Sequence, residues 1–255
     1  MITCTTHYSK RKFPVGELHV WLTSFPSPGT EIDITWTFES NEEIIELLLL
    51  CDALKRALLE LRCLRIPYFP FGRQDRVAVE GESLSVAVMA GLINGLKAES
   101  VEIIDPHSDV TTALIDRCSV LTQAELFKSS VYHQVFRHRP FYLVSPDAGA
   151  LKKIYQLAAY VTPLGIIECS KHRNVATGEI TGVHVQVGNL EREHCIIVDD
   201  ICDGGRSFIE IAKRLKYDYG FPEVTLLVSH GFFTQGLKVF DNLIDHIYTR
   251  EGQVK

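Results

Sequence analysis

The segment IIVDDICDGGRSFIEIAKRL, residues 196–215, places acids, glycines and a hydroxyl between an apolar run and an amphipathic helix. Glycines let backbone N–H groups approach an anion, and Ser207 adds a hydroxyl where the helix N-terminus carries positive partial charge. The preceding Asp199 and Asp200 are suited to sugar hydroxyls or a metal-bound ligand. The segment therefore predicts a phosphate-binding loop. Its residues are Asp203, Gly204, Gly205, Arg206 and Ser207.

Further segments present charged or polar side chains close to apolar runs. They are FPVGELHV (13–20), YFPFGRQDR (68–76), DPHSDV (105–110), SPDAGALKK (145–153), CSKHRNVATGEITG (169–182) and LLVSHGFFTQG (226–236). Taken singly, RQDR is typical of a mixed-charge turn, His107 of a surface histidine, and Asp147 of a helix cap. Lys171 and Arg173 on their own are typical of a basic surface hairpin. Only their combination carries a functional hypothesis.

The elements that must position these segments follow from hydrophobic periodicity. Predicted strands cover 64–69, 101–105, 141–145, 165–169, 195–200, 224–230 and 246–250, and FPVGELHV is a further predicted strand. Predicted helices cover about 41–63, 82–97, 110–117, 123–136, 149–160, 205–219 and 236–244. Ser40 and Glu43 form a predicted capping box at the start of the first helix. Alternating strands and helices predict an α/β fold with helix-covered parallel sheets.

The runs VEIIDPHSDV and CIIVDDICDG are alike, since each is an apolar strand that ends in acid and continues into a polar loop. This similarity predicts two α/β halves, which we place at residues 1–125 and 126–255. Ligands of open α/β sheets bind at the carboxyl ends of strands. The strand-end loops are therefore the expected functional sites.

Composition excludes several functional classes. The 255 residues carry a net charge of −6, which argues against a nucleic-acid partner. No apolar run approaches the ~18 residues of a membrane span, and the run 44–50 contains Glu46. The first residues lack the apolar core of a secretory signal. Seven cysteines without C-x-x-C spacing are typical of apolar packing in a reducing compartment, so we expect a cytoplasmic protein.

Together these segments resemble the ribose-phosphate pyrophosphokinase family. The 196–215 segment alone is equally similar to type I phosphoribosyltransferases, but YFPFGRQDR resembles a pyrophosphokinase signature that the transferases lack. The resemblance implies two type I phosphoribosyltransferase-like domains, each a mainly parallel sheet flanked by helices. It also implies a first half that binds ATP and a second half that binds ribose 5-phosphate.

The resemblance assigns roles to individual residues. Lys171 and Arg173 are implied to be catalytic, on a mobile loop that stabilises transition-state charge. The implied ATP-binding residues are Phe13, Glu17, Arg73, Gln74, Asp75 and His107. Asp199 and Asp200 are implied to bind the ribose hydroxyls and residues 203–207 the 5-phosphate. The implied cofactor is Mg²⁺, near His107 and Asp147, and the implied assembly is a homo-oligomer, either a dimer or a hexamer.

The chain departs from the family pattern at several positions. Val15 replaces an Asp or Asn that reads the adenine edge, so the base specificity is open. The phosphate loop lacks a hydroxyl at Gly204 and gains a guanidinium at Arg206. Glu80 and Glu82 replace a basic segment, so we expect weak regulation by phosphate or ADP. The chain is also short at both ends relative to the family.

The implied activity is Mg²⁺-dependent transfer of the diphosphoryl group of ATP to the anomeric hydroxyl of ribose 5-phosphate. One alternative keeps this chemistry but uses an acceptor whose 5-phosphate is esterified, such as ADP-ribose, with Arg206 on the second phosphate. Another alternative is a non-catalytic regulatory homologue. Phosphoribosyl transfer to a base conflicts with the RQDR segment.

Overall fold

The computed structural model describes residues 1–126, 135–136, 140–173, 180–186 and 190–255, with backbone alone at 171–173, 180–183 and 186. The chain divides into two compact units, Met1–Thr122 and Gln123–Lys255. Each unit has its own sheet and its own hydrophobic core. We therefore describe the two units separately.

The first unit is built on a five-stranded sheet. Its elements are β1 (Ile2–Cys4), β2 (Tyr8–Lys12), β3 (Leu18–Leu22), β4 (Glu31–Trp36), α1 (Glu42–Arg56), β5 (Glu60–Ile66), α2 (Ser85–Gly95), β6 (Ser100–Ile104), α3 (Asp109–Leu114) and β7 (Cys118–Leu121). The sheet order is β1-β4-β5-β6-β7, and only β1 runs antiparallel. Leu47, Leu50 and Leu54 recur at helical spacing and bury one face of α1 in the core.

Strands β2 and β3 form a separate two-stranded hairpin. The prediction of one strand over residues 13–20 is wrong, because Phe13 to Glu17 form the hairpin turn. The N–H of Phe13 donates to the Glu17 carbonyl at 2.8 Å, and Gly16 has φ +97°. That positive φ suits glycine, which explains why the chain reverses here.

The second unit is built on a seven-stranded sheet. Its elements are α4 (Gln123–Leu126), β8 (Phe141–Ser145), α5 (Leu151–Val161), β9 (Gly165–Arg173), β10 (Ile180–Gln186), β11 (His194–Cys202), α6 (Arg206–Lys213), a π-helical turn (Arg214–Asp218), β12 (Val224–Gly231), a 3-10 turn (Leu237–Phe240), β13 (His246–Thr249) and β14 (Gly252–Gln253). The order is β10-β9-β8-β11-β12-β13-β14, with β10 and β14 antiparallel at the edges. The predicted fold class, α/β with mainly parallel sheets flanked by helices, is confirmed.

Several predicted boundaries are wrong, for local reasons. The first helix ends at Arg56 instead of residue 63, because Leu58 takes a left-handed φ of 57° and the chain turns into β5. The capping box is absent. Asn41 is the N-cap without a side-chain bond, and the Glu43 carboxylate accepts from the Glu39 N–H at 2.9 Å and the Trp36 indole at 3.1 Å.

Other differences concern short or mixed elements. Strand β7 was not predicted, and the predicted helix at 236–244 is a four-residue 3-10 turn. The helix predicted over 205–219 changes to a π-helical turn after Lys213. Residues 170–173, expected in a loop after the predicted strand 165–169, continue strand β9.

The seven cysteines lie in the described ranges and form no disulfide bonds, and four of them are buried: Cys63, Cys169, Cys195 and Cys202. Within the described ranges of the chain, no helix combines the length and apolar character needed to cross a bilayer.

Candidate active site

Two acidic residues of the second unit, Asp147 and Asp199, lie at the carboxyl ends of two neighbouring strands. Strand β11 pairs in parallel with β8, with Ile197 opposite Val144. Asp199 lies near the end of β11, and Asp147 follows β8 by two residues. The sheet thereby brings together two acids that are far apart in the sequence.

Asp199 has the most perturbed environment of these acids. Burial raises the pKa of its carboxyl well above the usual range, and the carboxylates of Asp200 and Asp147 raise it further. One stabilising contact is the Asp200 N–H, which donates to Asp199 Oδ1 at 2.9 Å. Clustered carboxylates of this kind favour binding of a cation or of hydroxyl donors.

Lys153 is a site residue that the sequence analysis did not select. Its Nζ lies 3.7 Å from Asp200 Oδ2, and the two side chains are 25% and 7% exposed. Lys153 projects from α5, the helix that follows the SPDAG turn. Its place in the SPDAGALKK segment was the available signal, but the partner could come only from the fold.

Gln123 is a second residue beside the acidic side chains that was not predicted from the sequence. Its side-chain amide donates to the Asp199 carbonyl at 2.7 Å and to the Ser229 hydroxyl at 3.3 Å, and the residue is 3% exposed. These bonds join the carboxyl ends of β11 and β12. No sequence pattern marked this glutamine, because its acceptors are far away in the chain.

Asp147 caps the turn at residues 148–150 that precedes α5. Its Oδ1 accepts from the N–H groups of Gly149 at 3.0 Å and Ala150 at 3.2 Å. The Ser145 hydroxyl donates to the Asp147 carbonyl at 2.8 Å and holds the turn. The prediction of a helix cap at Asp147 is wrong, because the N-cap of α5 is Ala150 and Asp147 caps the preceding turn. The Asp147 carboxylate also raises the pKa of Asp199.

The loop 203–207 is shaped by a buried aromatic ring. Gly205 has φ +77°, and a Cβ there would lie 2.2 Å from the ring of Phe240, which is fully buried. The Thr234 hydroxyl donates to Asp203 Oδ1 at 2.9 Å, and the Thr234 N–H donates to the Asp203 carbonyl at 3.1 Å. Only glycine fits position 205, so the packing fixes the path of the loop.

Gly204 differs from its neighbour. It has no positive φ, and a Cβ there would approach nothing closer than Gln235 Cγ at 3.4 Å. Arg206 begins α6, is exposed, and has no ion-pair partner among the described residues. The N-cap of α6 is Gly205, which has no side chain to cap the helix. The helix start therefore presents backbone N–H groups that suit an anion.

In the first unit, the two predicted ATP segments follow neighbouring strands. Strand β5 pairs in parallel with β6, so the 68–76 and 105–110 segments emerge at the same edge. Gly72 of the first segment lies close to Thr111, the residue after the second segment, since a Cβ on Gly72 would be 3.3 Å from Thr111 Oγ1. Arg73 and Gln74 are exposed there, while Asp75 is half-buried.

Both the side chain and the backbone carbonyl of Gln74 accept hydrogen bonds from the start of α2. The Ser85 hydroxyl donates to Gln74 Oε1, and the Val86 N–H donates to the Gln74 carbonyl at 3.3 Å. Ser85 in turn contacts the Ser83 hydroxyl at 2.9 Å. The start of α2 therefore orients this predicted ATP contact.

His107 is exposed on the loop after β6. The preceding Asp105 is 3% exposed and has a left-handed φ of 40°. The buried hydroxyls of Ser108 and Thr111 have no hydrogen-bond partner among the residues that the structure describes. This loop thus presents the exposed His107 imidazole and starts at Asp105, which is buried and has a strained backbone.

Phe13 and Glu17 lie at the exposed turn of the β2–β3 hairpin, with Val15 82% exposed between them. The Arg11 guanidinium lies 4.8 Å from the centre of the Phe13 ring. The hairpin turn therefore presents an aromatic ring and a carboxylate to solvent.

Glu82 has a local structural role. Its Oε2 accepts from the N–H groups of Ala78 at 2.9 Å and Val79 at 3.1 Å. Both N–H groups face an anionic group that the chain itself supplies. Glu80 is exposed in the same segment.

The positions of Lys171 and Arg173 are described by backbone alone. They lie in β9, paired with Val183 and Ile180 of β10 in a β-hairpin. Their side chains, and residues 174–179, lie outside the described residues. Among the described residues, no three His, Cys, Asp or Glu side chains form a preformed metal cluster.

Two family models match the chain. The N-terminal domain of ribose phosphate pyrophosphokinase matches residues 11–96, and the phosphoribosyl transferase domain matches residues 123–231. A crystal structure of phosphoribosylpyrophosphate synthetase from Mycobacterium smegmatis superposes with a TM-score of 0.83 at 21% identity. It covers 96% of this chain and 80% of the other, which supports the fold.

Curated relatives agree with these models. The ribose-phosphate pyrophosphokinase of Thermosipho africanus is 31% identical over 217 residues, covering 83% of this chain and 67% of that protein. The ribose-phosphate pyrophosphokinase of Thermococcus kodakarensis is 31% identical over 229 residues, covering 89% and 78%. With both halves matched in order, the chain belongs to the ribose-phosphate pyrophosphokinase family of diphosphotransferases.

Proposed function

We propose that the protein transfers the β,γ-diphosphoryl group of ATP to the anomeric hydroxyl of ribose 5-phosphate, giving phosphoribosyl pyrophosphate and AMP. The observation that carries this proposal is the edge of β8 and β11, where Asp199 and Asp200 lead directly into a phosphate loop shaped by Phe240. Family membership supports the same chemistry. We assign ATP to the first half, residues 1–125, and the sugar phosphate to the second, residues 126–255.

In the proposed reaction the anomeric oxygen attacks the β-phosphorus in line. A new oxygen–phosphorus bond forms, the bond from the β-phosphorus to the α,β-bridging oxygen breaks, and AMP leaves with that oxygen. The hydroxyl proton passes to solvent. Phosphoryl-transfer enzymes gain most of their rate from positioning and charge neutralisation, so no covalent intermediate is required.

The second half binds and orients the acceptor in this proposal. The carboxylates of Asp199 and Asp200 accept hydrogen bonds from the ribose hydroxyls, and Lys153 holds Asp200 in place. Backbone N–H groups at the start of α6, with the Ser207 hydroxyl, bind the 5-phosphate. Gln123 fixes the backbone beneath Asp199.

The first half binds ATP. Arg73 and Gln74 reach the phosphates or the base, Asp75 supports that loop, and Phe13 and Glu17 bind adenine. Because the hairpin turn is exposed, we propose that it serves a neighbouring subunit of a cytoplasmic homo-oligomer. Lys171 and Arg173 are proposed to stabilise the charge of the transition state.

Mg²⁺ fits the donor groups of this chain. The carboxylates of Asp200 and Asp147 raise the pKa of Asp199, and a cation would relieve this repulsion. Protein Mg²⁺ is commonly held by one or two carboxylates with substrate phosphates. We propose that His107 in the first unit and Asp147 in the second unit each hold an Mg²⁺ ion. When bound, Mg²⁺ neutralises the triphosphate and polarises the β-phosphorus.

The proposal is tested by following AMP and phosphoribosyl pyrophosphate with ATP, Mg²⁺ and ribose 5-phosphate, using wild type and Lys171→Ala. Removing one transition-state cation should lower kcat by about 100-fold or more while the protein stays folded. Near-normal turnover of Lys171→Ala would refute the catalytic assignment. A wild-type protein that releases no AMP with any acceptor would instead indicate a non-catalytic homologue.

A second acceptor class is favoured by one observation, the contrast between Gly204 and Gly205. Gly205 is demanded by Phe240, whereas neither φ nor packing demands glycine at 204. The missing side chain leaves space beside the loop, and the exposed Arg206 guanidinium suits an additional phosphate. These features fit an acceptor whose 5-phosphate is esterified, such as ADP-ribose.

The two acceptors can be separated by direct competition. Wild type, Gly204→Thr and Arg206→Ala are each supplied with ATP and either ribose 5-phosphate or ADP-ribose, and the products are identified by mass spectrometry. If the esterified acceptor is used, both substitutions should lower its kcat/KM by about tenfold or more relative to ribose 5-phosphate. Equal effects on both acceptors would exclude a role for this space in selection.

A further inference from the structure

Glu46 is a buried carboxylate in the middle of α1, on an otherwise apolar stretch. It is 2% exposed. Its Oε1 accepts from the Tyr8 hydroxyl at 2.8 Å, and its Oε2 contacts Lys10 Nζ at 2.6 Å. Both partners belong to β2, so the side chain joins the helix to the hairpin.

The contacts continue along the hairpin. One turn earlier on α1, Glu42 pairs with Lys12 Nζ at 2.6 Å, but both of those side chains are about half exposed. Val20 and Leu22 pack on the same core as α1. Residues 8, 10 and 12 share one face of β2 because side chains alternate in a strand. The hairpin therefore packs on α1 through β3, and the polar side chains of β2 add hydrogen bonds and ion pairs to the same helix.

Burial of the Glu46 carboxylate costs folding free energy, because the side chain loses most of its contact with water. A buried carboxylate must recover its lost hydration from a few well-placed partners. Burial and then the Glu46 carboxylate raise the pKa of the Tyr8 phenol, which keeps Tyr8 a hydrogen-bond donor. An apolar side chain could fill the same space but would not select one orientation of the hairpin.

We propose that Glu46 is a positioning residue that sets the orientation of the β2–β3 hairpin and, through it, the contact of Phe13 and Glu17 with the nucleotide. This inference rests on the proposed function, because it assumes that the hairpin turn binds ATP. Glu46 itself touches neither substrate nor reacting atoms. Its effect should appear in the binding of one substrate and not in the chemical step.

The test compares Glu46→Gln with Asp52→Asn. Asp52 lies on the same helix in an exposed pair with Arg56, so this control makes the same acid-to-amide change away from the hairpin. Glu46→Gln should raise KM for ATP by about tenfold while kcat and KM for the acceptor stay within about twofold. Tyr8→Phe, which removes one of the two bonds, should give an intermediate KM. Asp52→Asn should match wild type.

Hydrogen exchange supplies a readout that does not need activity. In Glu46→Gln, the amides of residues 8–22 should exchange about tenfold faster, while those of β5 and β6 keep wild-type rates. Ile93→Val, a core change away from the hairpin, controls for lost stability: it should lower Tm without changing KM for ATP.

Two results would overturn the inference: an unchanged KM for ATP in Glu46→Gln, or equal losses in kcat and both KM values. If Glu46→Gln fails to fold, Tyr8→Phe carries the same test. A wild-type protein without ATP-dependent activity would instead refute the proposed function, and the exchange experiment would still decide whether Glu46 orders the hairpin.

Discussion

The two halves hold their strand-end loops in different ways. In the second half, the loop 203–207 follows a strand buried along nearly its whole length and is shaped by Phe240. In the first half, the segment 73–85 is largely exposed and is held by polar contacts, such as Ser85 with Gln74 and Glu82 with two backbone N–H groups. One loop is determined by packing and the other by surface hydrogen bonds.

The two ways of holding a loop have different energetic consequences for the residues beside it. A loop fixed by core packing is preorganised. Beside it, burial and then the carboxylates of Asp200 and Asp147 raise the pKa of Asp199. A loop fixed by exposed hydrogen bonds loses little when one bond breaks, because water replaces it. Substitutions in the two halves should therefore differ in size and in kind.

The largest effect is expected for Gly205→Ala. The new Cβ would overlap the Phe240 ring and adopt a left-handed φ, so we expect a loss of about 3 kcal/mol of stability. Displacement of the phosphate loop should lower kcat/KM by about 100-fold or more. Urea unfolding and steady-state kinetics measure the two effects.

Gly204→Ala is the matched control for that prediction. Its Cβ would have ordinary contacts, so its stability should stay within about 0.5 kcal/mol of wild type. Equal destabilisation by the two substitutions would contradict the claim that packing against Phe240 fixes the loop.

Gln123→Leu should have the next largest effect. It removes the donor to the Asp199 carbonyl and to the Ser229 hydroxyl, so both lose a partner in a buried setting. We expect a loss of about 2 kcal/mol, measured by urea unfolding. Ser229→Ala removes only the longer of these bonds and should cost less. A larger loss for Ser229→Ala would reverse this assignment.

Asp199→Asn should act in the opposite direction. The pKa of the Asp199 carboxyl is raised in the folded state. Below the unfolded-state pKa of about 3.9 the carboxyl is protonated and does not destabilise the fold, and its effect grows as the pH rises above that value. The amide can still accept from the Asp200 N–H, so the variant should be about 1 kcal/mol more stable at pH 7 while losing activity.

Thermal unfolding without Mg²⁺ or substrates, from pH 4 to 8, checks this prediction. The gain in Tm should shrink as the pH falls towards 4. Asp203→Asn, in the next loop, provides a comparison at a half-buried acid that already accepts from Thr234. An Asp199→Asn protein with a lower Tm than wild type at pH 7 would show that the carboxylate is stabilised and not strained.

Glu82→Ala should have the smallest effect. It removes the acceptor for the Ala78 and Val79 N–H groups at an exposed turn, so global stability should change by less than about 0.5 kcal/mol. The amides of this turn should nevertheless exchange faster, whereas Glu82→Gln, which keeps an acceptor oxygen, should resemble wild type. A loss comparable to that of Gln123→Leu would remove the contrast between the halves.

Much of the fold was predictable from the sequence. Strands such as 141–145 and 224–230 are mostly apolar and buried at every position, and such runs are typical of parallel strands buried on both faces. The end of α1 and the turn at 13–17 were not predicted, because left-handed backbone at Leu58 and Gly16 decides them. Strand β7 is short and half exposed, so it gives little periodic signal.

The sequence by itself determined the order of the strand-end segments, the family to which they belong, and the residues that we propose for binding phosphate, ribose and nucleotide. These properties are local, since apolar runs, glycines and neighbouring acids lie within one short stretch of chain. Tertiary structure alone decided that Asp147 faces Asp199, that Gln123 supports Asp199, and that Glu46 holds the hairpin. These contacts join residues far apart in the chain, and only the pairing of parallel strands and the packing of helices bring them together.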